Sequence, residues 1–313
     1  MAKMKIYCVT NVELKHLEEL NLNLAGVGNK KFKKKYISSL SGKNIQSKER
    51  NYSELTFHYW FWKNELKKID KSLWVGFCQK RRFWLYDILP KINICSKNYN
   101  LKEIDYLYLS KLEKYQKSTL EILGYDNFKI IEANKNRHIQ ADEIICSEHP
   151  WYKRGFILEE AKRLPEWIVN WIYDSFINYG KQFNCNEKIF IDRSESTFSH
   201  CQFVNNKEII NFLENEGFTS YKVGQLTFQE QIYLFNNAKI IIGAHGAAFA
   251  NLVFCKKNTK IIEIKPKNHP NYVDQHISKI KELNFNLIET KHFEDKEKKG
   301  DIFFNPIDFK EFL

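Results

Sequence analysis

The chain is poor in the residues that punctuate and cross-link a fold. Its 313 residues include 12 Gly and 6 Pro, which argues against long disordered stretches. The seven cysteines (Cys8, Cys78, Cys95, Cys146, Cys185, Cys201, Cys255) are scattered, with no CxxC pair and no His/Cys metal spacing. A secreted disulfide framework is therefore disfavoured, and a reducing cytosol fits better. The longest apolar run, around Lys239–Phe254, contains His245 and Asn251 and is too short to span a bilayer. The opening MAKMKIYCVT lacks the apolar core and cleavage motif of a signal peptide. There is no GxGxxG, no Walker loop, no HExxH and no isolated DxD in an apolar context. Dinucleotide, P-loop and zincin fingerprints are thereby absent, and no metal ligand set is expected.

What is present is core and charge. Hydrophobic residues make up 43% and aromatic ones 15%, enough to bury a substantial interior in roughly two domains. Residues 1–83 carry 18 Lys+Arg against 7 Asp+Glu, while residues 84–313 carry 31 of each. The whole excess of +11 thus lies before residue 84, which marks a boundary. The run KKFKKKY (Lys30–Tyr36) reads first as a solvated basic loop. Peripheral contact with an anionic membrane stays open, at about 1 kcal/mol per charge. Nucleic acid is not expected, because no nucleic-acid motif accompanies the charge.

Strand and helix signals alternate along the chain, which gives an α/β class. IDYLYL, FKII, EIIC and KIFI read as strands, and YQKSTLEIL as a helix. Leu164–Gly180 shows helical spacing, with Trp167, Ile168, Trp171, Ile172 and Phe176 apolar. The charged KHFEDKEKKGD reads as a loop and NPIDFKEFL as a closing helix.

The densest signal is KIIIGAHGAAFANLVFCKKNTKIIEIKP, Lys239–Pro266. A β-branched run ends at Gly243, small residues surround His245, and a second β-branched run, Lys260–Ile264, stops at Lys-Pro. Strand, glycine turn, short helix and strand form a βαβ unit. Its turn opens a helix N-terminus lined by Gly and Ala, where unpaired N–H groups suit a phosphate. An ordinary buried strand-turn-helix with His245 hydrogen-bonded inside it has the same spacing. Glu263 stands between Ile262 and Ile264, so burial demands a partner for its carboxylate.

The string GAHGAAFANLVFCKKNTKIIEIKP resembles the signature of glycosyltransferase family 61. LTFQEQIYLFNNAK resembles the helix before that strand, and KIFIDRSES the family's strand ending in arginine. NNKEIINFLENEGF, FWLYDILPKI and YQKSTLEILGY keep the family's order back to about Trp84. Before them, ERNYSELTFHYWFWKNE and WVGFCQKRRFW resemble the domain of unknown function 4422, with Cys78, Arg81 and Arg82 matched and Gln79 in place of its histidine. That family also occurs in surface-polysaccharide loci.

The resemblance implies a GT-B-like fold, two Rossmann-like halves facing a cleft. Residues 1–83 would be the basic N-terminal segment, 84–180 the acceptor-side half and 181–313 the nucleotide-sugar-binding half. It implies an inverting, metal-independent, bacterial-type cytoplasmic enzyme of surface-polysaccharide synthesis, needing no cofactor beyond its donor, a UDP-sugar for choice. The acceptor would be a glycan, free or lipid-linked. Gly243, His245, Gly246 and Ala247 would present donors to the diphosphate, and Arg193 would pair with it. The alternative for Arg193 is a surface residue capped by Asp192 or Glu195. Glu263 would take a ribose diol, or else a buried partner such as Lys265 or Arg193. Asn251 would touch the donor or cap the backbone, and Gln231 is a helix-surface or cleft contact. Asp87 would be the general base, or simply a helix residue paired with Lys91. His245 would assist as a further donor at the reacting phosphate. Phe83 stands where the family has histidine, and Gln202 where many members have arginine. Those departures favour the rival reading, a hybrid that binds nucleotide without transferring sugar.

Overall fold

The computed structural model describes residues 4–10, 13, 23–27, 32–38, 40, 42–43, 55–64, 74–78, 84–109, 111–126, 129–132, 145, 147, 149–151, 161–195, 201–267, 269, 271–290 and 300–313. Phe83, Gln79, Arg81, Arg82 and the charged 291–299 stretch lie outside them, as does most of EIIC. Described residues before and after the 83/84 boundary fall into two compact units.

The first unit holds β1 (Met4–Thr10), β2 (Asn23–Gly26), β3 (Tyr36–Ser38), α1 (Leu55–Asn64) and β4 (Trp74–Cys78). Its four strands are parallel, in the order β3-β2-β1-β4. Val9, Ala25, Val27, Phe57, Trp60 and Phe61 form its core. Lys33, Lys34 and Lys35 of the basic run are exposed, and Tyr36 turns inward. Lys33 pairs with Glu13 at 3.6 Å, a surface contact of small energetic weight.

The second unit begins with a π-type turn, Trp84–Ile88, running into α2 (Leu89–Ser96). β5 (Tyr106–Leu109) and β6 (Lys129–Glu132) make a parallel two-stranded sheet around α3 (Lys114–Ile122). The α3 start is fixed by a capping box between Glu113 and Gln116. Gly124, at φ +75°, lets the chain leave the helix. Trp84 is anchored on α3 by an indole N–H bond to Thr119 Oγ1 of 2.8 Å. Helix α4 (Glu166–Phe176) buries Ile168, Val169, Ile172 and Phe176. Trp167, expected on that face, is instead 39% exposed, because the apolar stripe follows Ile168.

The large sheet contains β7 (Lys188–Ile191), β8 (Thr219–Tyr221), β9 (Ile240–Ala244), β10 (Lys260–Pro266) and β11 (Asn284–Thr290). All pairings are parallel, in the order β11-β10-β9-β7-β8. The connections are α5 (Asn206–Asn215), α6 (Phe228–Asn237), a 3-10 segment Ala247–Phe254 and α7 (Val273–Ile280). The short helix expected after the glycine turn is therefore 3-10, as is the closing Pro306–Glu311. A Thr227–Glu230 capping box starts α6. Alternate strand residues serve opposite faces. Phe190, Ile242, Ile262 and Ile264 meet Ile209, Leu213 and Phe309 in one core layer. Ile189, Ile191, Ile241 and Ile261 are fully buried as well, so the sheet is covered on both sides.

Counted from β7, the strand order is 2-1-3-4-5, a doubly wound sheet that reverses direction between β7 and β9. In such sheets, ligands sit beyond the strand C-termini at that reversal. Among the described residues no helix is long and apolar enough to cross a membrane.

Candidate active site

Two loops flank the reversal point. One follows β7 with Asp192, Arg193, Ser194 and Glu195; the other follows β9 with His245 and Gly246. They bring Arg193 and Gly246 together across 53 residues of sequence, since a Cβ on Gly246 would stand 2.2 Å from Arg193 Nη1. The guanidinium therefore lies directly over the glycine backbone. Gly243 is needed for a different reason: a Cβ there would meet Ile191 Cβ at 2.9 Å and the Phe249 ring at 3.3 Å.

Arg193 is the notable charge. Neither capping alternative forms: Asp192 accepts from Ser194 and Asn206, and Glu195 accepts from Gln225. Among the described residues Arg193 makes no salt bridge, and its buried Nη1 has no hydrogen-bond partner. Burial pulls the guanidinium below its usual pKa, while the distant charges of Asp301 and Asp274 work the other way. A desolvated cation without a partner favours an incoming anion. Gln202 supports the loop by donating to the Arg193 carbonyl at 3.2 Å.

His245 continues the β9–β10 ladder, its N–H donating to Ile264 O at 2.8 Å. The imidazole itself is 4% exposed. Nδ1 faces Glu263 in a short hydrogen bond and lies 3.1 Å from Asp274 Oδ2. Nε2 lies 3.2 Å from the Asn271 amide nitrogen, and the His269 ring lies tilted against His245 at a centroid distance of 4.5 Å. Burial opposes charge on this ring, but Asp274 and Glu263 outweigh it and push the pKa up to about 9. Burial, then Asp274, raise Glu263 to about 7 against the pull of His245 and Lys265. The cluster thus stores a proton that ordinary groups would release.

This changes the part His245 and Glu263 play. Both ring nitrogens are engaged by protein, so the ring holds the turn rather than reaching into solvent. Glu263, at 2% exposed, meets His245 through Oε1, and among the described residues it makes no ion pair with Lys265 or Arg193. Lys265, 1% exposed, donates to Asn271 O at 3.0 Å and lies over the Tyr272 ring at 4.2 Å. Asn251 is 5% exposed and donates to Gln231 Oε1 at 3.0 Å, joining the 3-10 segment to α6. The turn itself is accessible: Ala247 is exposed, and Gly246 and Ala248 are half-buried. The first turn of that 3-10 segment leaves N–H groups without intrahelical partners.

Asp87 lies in the π-type turn with 0% exposure. Lys91 Nζ is 2.6 Å and His149 Nε2 2.9 Å from its Oδ1. Burial would raise its pKa, but these two partners more than offset that and lower it. The helix pairing with Lys91 is thus real, and His149 is added to it. Sequence reading had passed over His149, Asn271 and Asp274. The histidine of His-Pro-Trp was the visible sign of the first, whereas a loop folding back over β9 has none.

His245, Glu263 and Asp274 form a group that could hold a cation among the described residues, their ligand atoms lying within 4.8 Å of one another. A cation there would have to displace the proton shared by His245 and Glu263.

A doubly wound parallel sheet with a buried arginine at its reversal point places this unit in the α/β class. The chain belongs to the glycosyltransferase 61 family, whose sequence profile matches residues 82–262. Residues 5–156 match the domain of unknown function DUF4422, so the two profiles overlap from residue 82 to 156. Among curated proteins none matches the chain.

Proposed function

We propose that the chain transfers a sugar from a nucleotide-sugar, a UDP-sugar for choice, to a glycan acceptor in surface-polysaccharide synthesis. The observation that carries the reading is Arg193: buried, unpaired and laid over Gly246 at the start of the 3-10 segment. The donor diphosphate would take the amides of Gly246, Ala247 and Ala248 together with the Arg193 fork. Charge developing on the leaving phosphate is then met by donors already in place. His245, Glu263 and Asn251 act by holding the turn. Transfer by single displacement inverts the anomeric centre, and nothing in this scheme requires a cation. We read the fold as GT-B-like, with the 84–180 region on the acceptor side, and the setting as cytoplasmic, with the basic N-terminal segment available for a membrane surface.

One observation favours the rival, binding without transfer: Asp87 is sealed from any acceptor. Thermal shift and calorimetry with UDP, GDP and CMP test the donor site. Stabilisation of about 2.7 kcal/mol is expected at a hundredfold excess over Kd. No nucleotide bound by the full chain would refute the reading. Binding with no nucleotide released from any donor in an acceptor screen would favour the rival.

A further inference from the structure

We propose that Gln202 and Asp301 are positioning residues for Arg193, through which the segment 300–304 presents the guanidinium to the donor's phosphates; the inference rests on the donor-site reading above. A buried cation stays unpaired only if the carboxylates around it are held away, because any of them would otherwise neutralise it. Each is occupied elsewhere. Asp192 accepts from the Ser194 N–H and hydroxyl, both at 2.9 Å, and from the Asn206 amide at 3.0 Å. Glu195 accepts from the Gln225 amide at 2.6 Å. Asp301 is buried and near enough for its charge to act on Arg193. Its Oδ1 instead accepts the Gln202 N–H at 3.2 Å, and it makes no salt bridge with Arg193 among the described residues.

Gln202 is the joint of this device. Its side-chain amide donates to the Arg193 carbonyl at 3.2 Å. Its backbone is gripped from the other side, the N–H by Asp301 and the carbonyl by the Ile302 N–H at 2.8 Å. The Cys201 N–H donates to Gly300 O at 2.8 Å and the Val204 N–H to Ile302 O at 2.9 Å, so the two segments run parallel with a bridge at Phe203 and Ile302. Asn205 adds a side-chain bond to Phe304 O at 2.9 Å. Ile302, Phe304 and Phe309 are buried in the same core layer as Phe190 of β7. The strand that leads into Arg193 and the segment that grips its loop therefore share one interior. Cys201 itself sits at φ +54°, a conformation unfavourable for a residue with a side chain. Such strain persists only where the surroundings fix it, as the Gly300 and Ile302 bonds do here.

The consequence is a guanidinium ordered before its ligand arrives. The Arg193 peptide is tied down by Gln202, which holds the side chain over Gly246. Asp301 is pinned by the same residue, so its negative charge stays at a distance from the fork. The ordering cost is met on folding, and less of the phosphate interaction is lost to it on binding.

Calorimetric Kd values for UDP, GDP and CMP on the full chain decide it, with urea melts to establish that each variant is folded. Gln202→Met keeps the length of the side chain but cannot donate. It should weaken binding of the preferred nucleotide about 2–10-fold, the worth of one neutral hydrogen bond. In an Arg193→Ala background the same change should leave Kd where Arg193→Ala alone puts it, because it acts only through the guanidinium. A merely structural role weakens binding by the same factor in both backgrounds, and that result would overturn the proposal. Wild-type Kd in folded Gln202→Met would overturn it too. Asp301 supplies a second test, which decides the question if Gln202→Met does not fold. Asp301→Ala releases the Gln202 N–H and should weaken binding. Asp301→Asn still accepts that N–H and removes a negative charge near the fork, so it should bind more tightly than wild type. Weakening of equal size in both Asp301 variants would refute the positioning role while leaving the donor site intact. A wild-type chain that binds none of the three nucleotides would take the donor-site reading down as well.

Discussion

Replacing Arg193 by alanine separates a ligand-binding arginine from a structural one, because the two predict opposite effects on the empty protein. In the folded chain the guanidinium has no hydrogen-bonded partner at Nη1 and no carboxylate within ion-pair distance among the described residues. Its burial is opposed by charges acting through space, from Cys201, Asp301 and Asp274. Removing it should therefore cost the apo protein little beyond the packing of its aliphatic stem. Loss of a charge-assisted hydrogen bond is worth about 1.5–3 kcal/mol, and a fork on a phosphate lies at the upper end. At about 1.4 kcal/mol per decade, that weakens nucleotide binding by roughly 10–150-fold. Calorimetry gives Kd for UDP, and urea melts give the apo stability of the same preparation. Arg193→Lys keeps the charge without the fork and should fall between the two. The reasoning is refuted if Arg193→Ala lowers apo stability by more than about 2 kcal/mol while leaving Kd unchanged.

The His245 cluster sets a pH dependence of stability. His245 is raised to about 9 and Glu263 to about 7, so both bind protons more tightly folded than unfolded. Their contribution is complete below the unfolded pKa values and is lost as pH rises through the folded ones. Stability should thus decline in urea melts from about pH 4.5 to 7 through Glu263 and from about 6.5 to 9 through His245, and His245→Gln should flatten the upper part of the slope. Gly243→Ala forces a methyl group against Ile191 and Phe249 and should cost about 1–3 kcal/mol by thermal or chemical denaturation. Asn271→Ala removes the acceptor for the Val273 N–H (3.0 Å) at the start of α7 as well as the amide beside His245. It should cost about 1 kcal/mol and, because the amide NH2 facing Nε2 can only donate to the neutral ring, raise the His245 pKa measured by NMR slightly, with Glu263 and Asp274 still in place.

How much of this was legible follows from sequence distance. The β9–turn–β10 unit announces itself because β-branched runs and a glycine turn are local signals. The capping boxes of α3 and α6 are equally local. Glu263 could be flagged as needing a partner, since an unpaired carboxylate in an apolar strand is costly. The identity of that partner depends on register: Glu263 lies opposite Gly243, so His245 is its diagonal neighbour on the same face. Nothing local states that register. Strand order is still more remote, and only the placement of β7 beside β9 brings Arg193 onto Gly246. Asp274 and His149 arrive on loops whose path is set by tertiary packing, so neither could be assigned a partner in advance.

The two ends of the proposed reaction therefore rest on supports of different stiffness. Donor-side groups stand at the C-termini of β7 and β9, neighbouring strands of a sheet buried on both faces. Moving Arg193 or Gly246 would require those strands to shift, which close packing resists. Asp87 and His149 instead sit on a π-type turn and a loop, joined by Trp151 and Tyr86. Beside them β5 and β6 pair only with each other among the described residues, and Tyr106 and Tyr108 remain exposed. The same region is matched by both family profiles. A diphosphate is common to all nucleotide-sugars and can be met by fixed backbone amides, whereas acceptors differ in size and linkage. Mounting the proposed phosphate grip on the central strands, apart from the turn that carries Asp87, allows the acceptor side to change without disturbing the donor side.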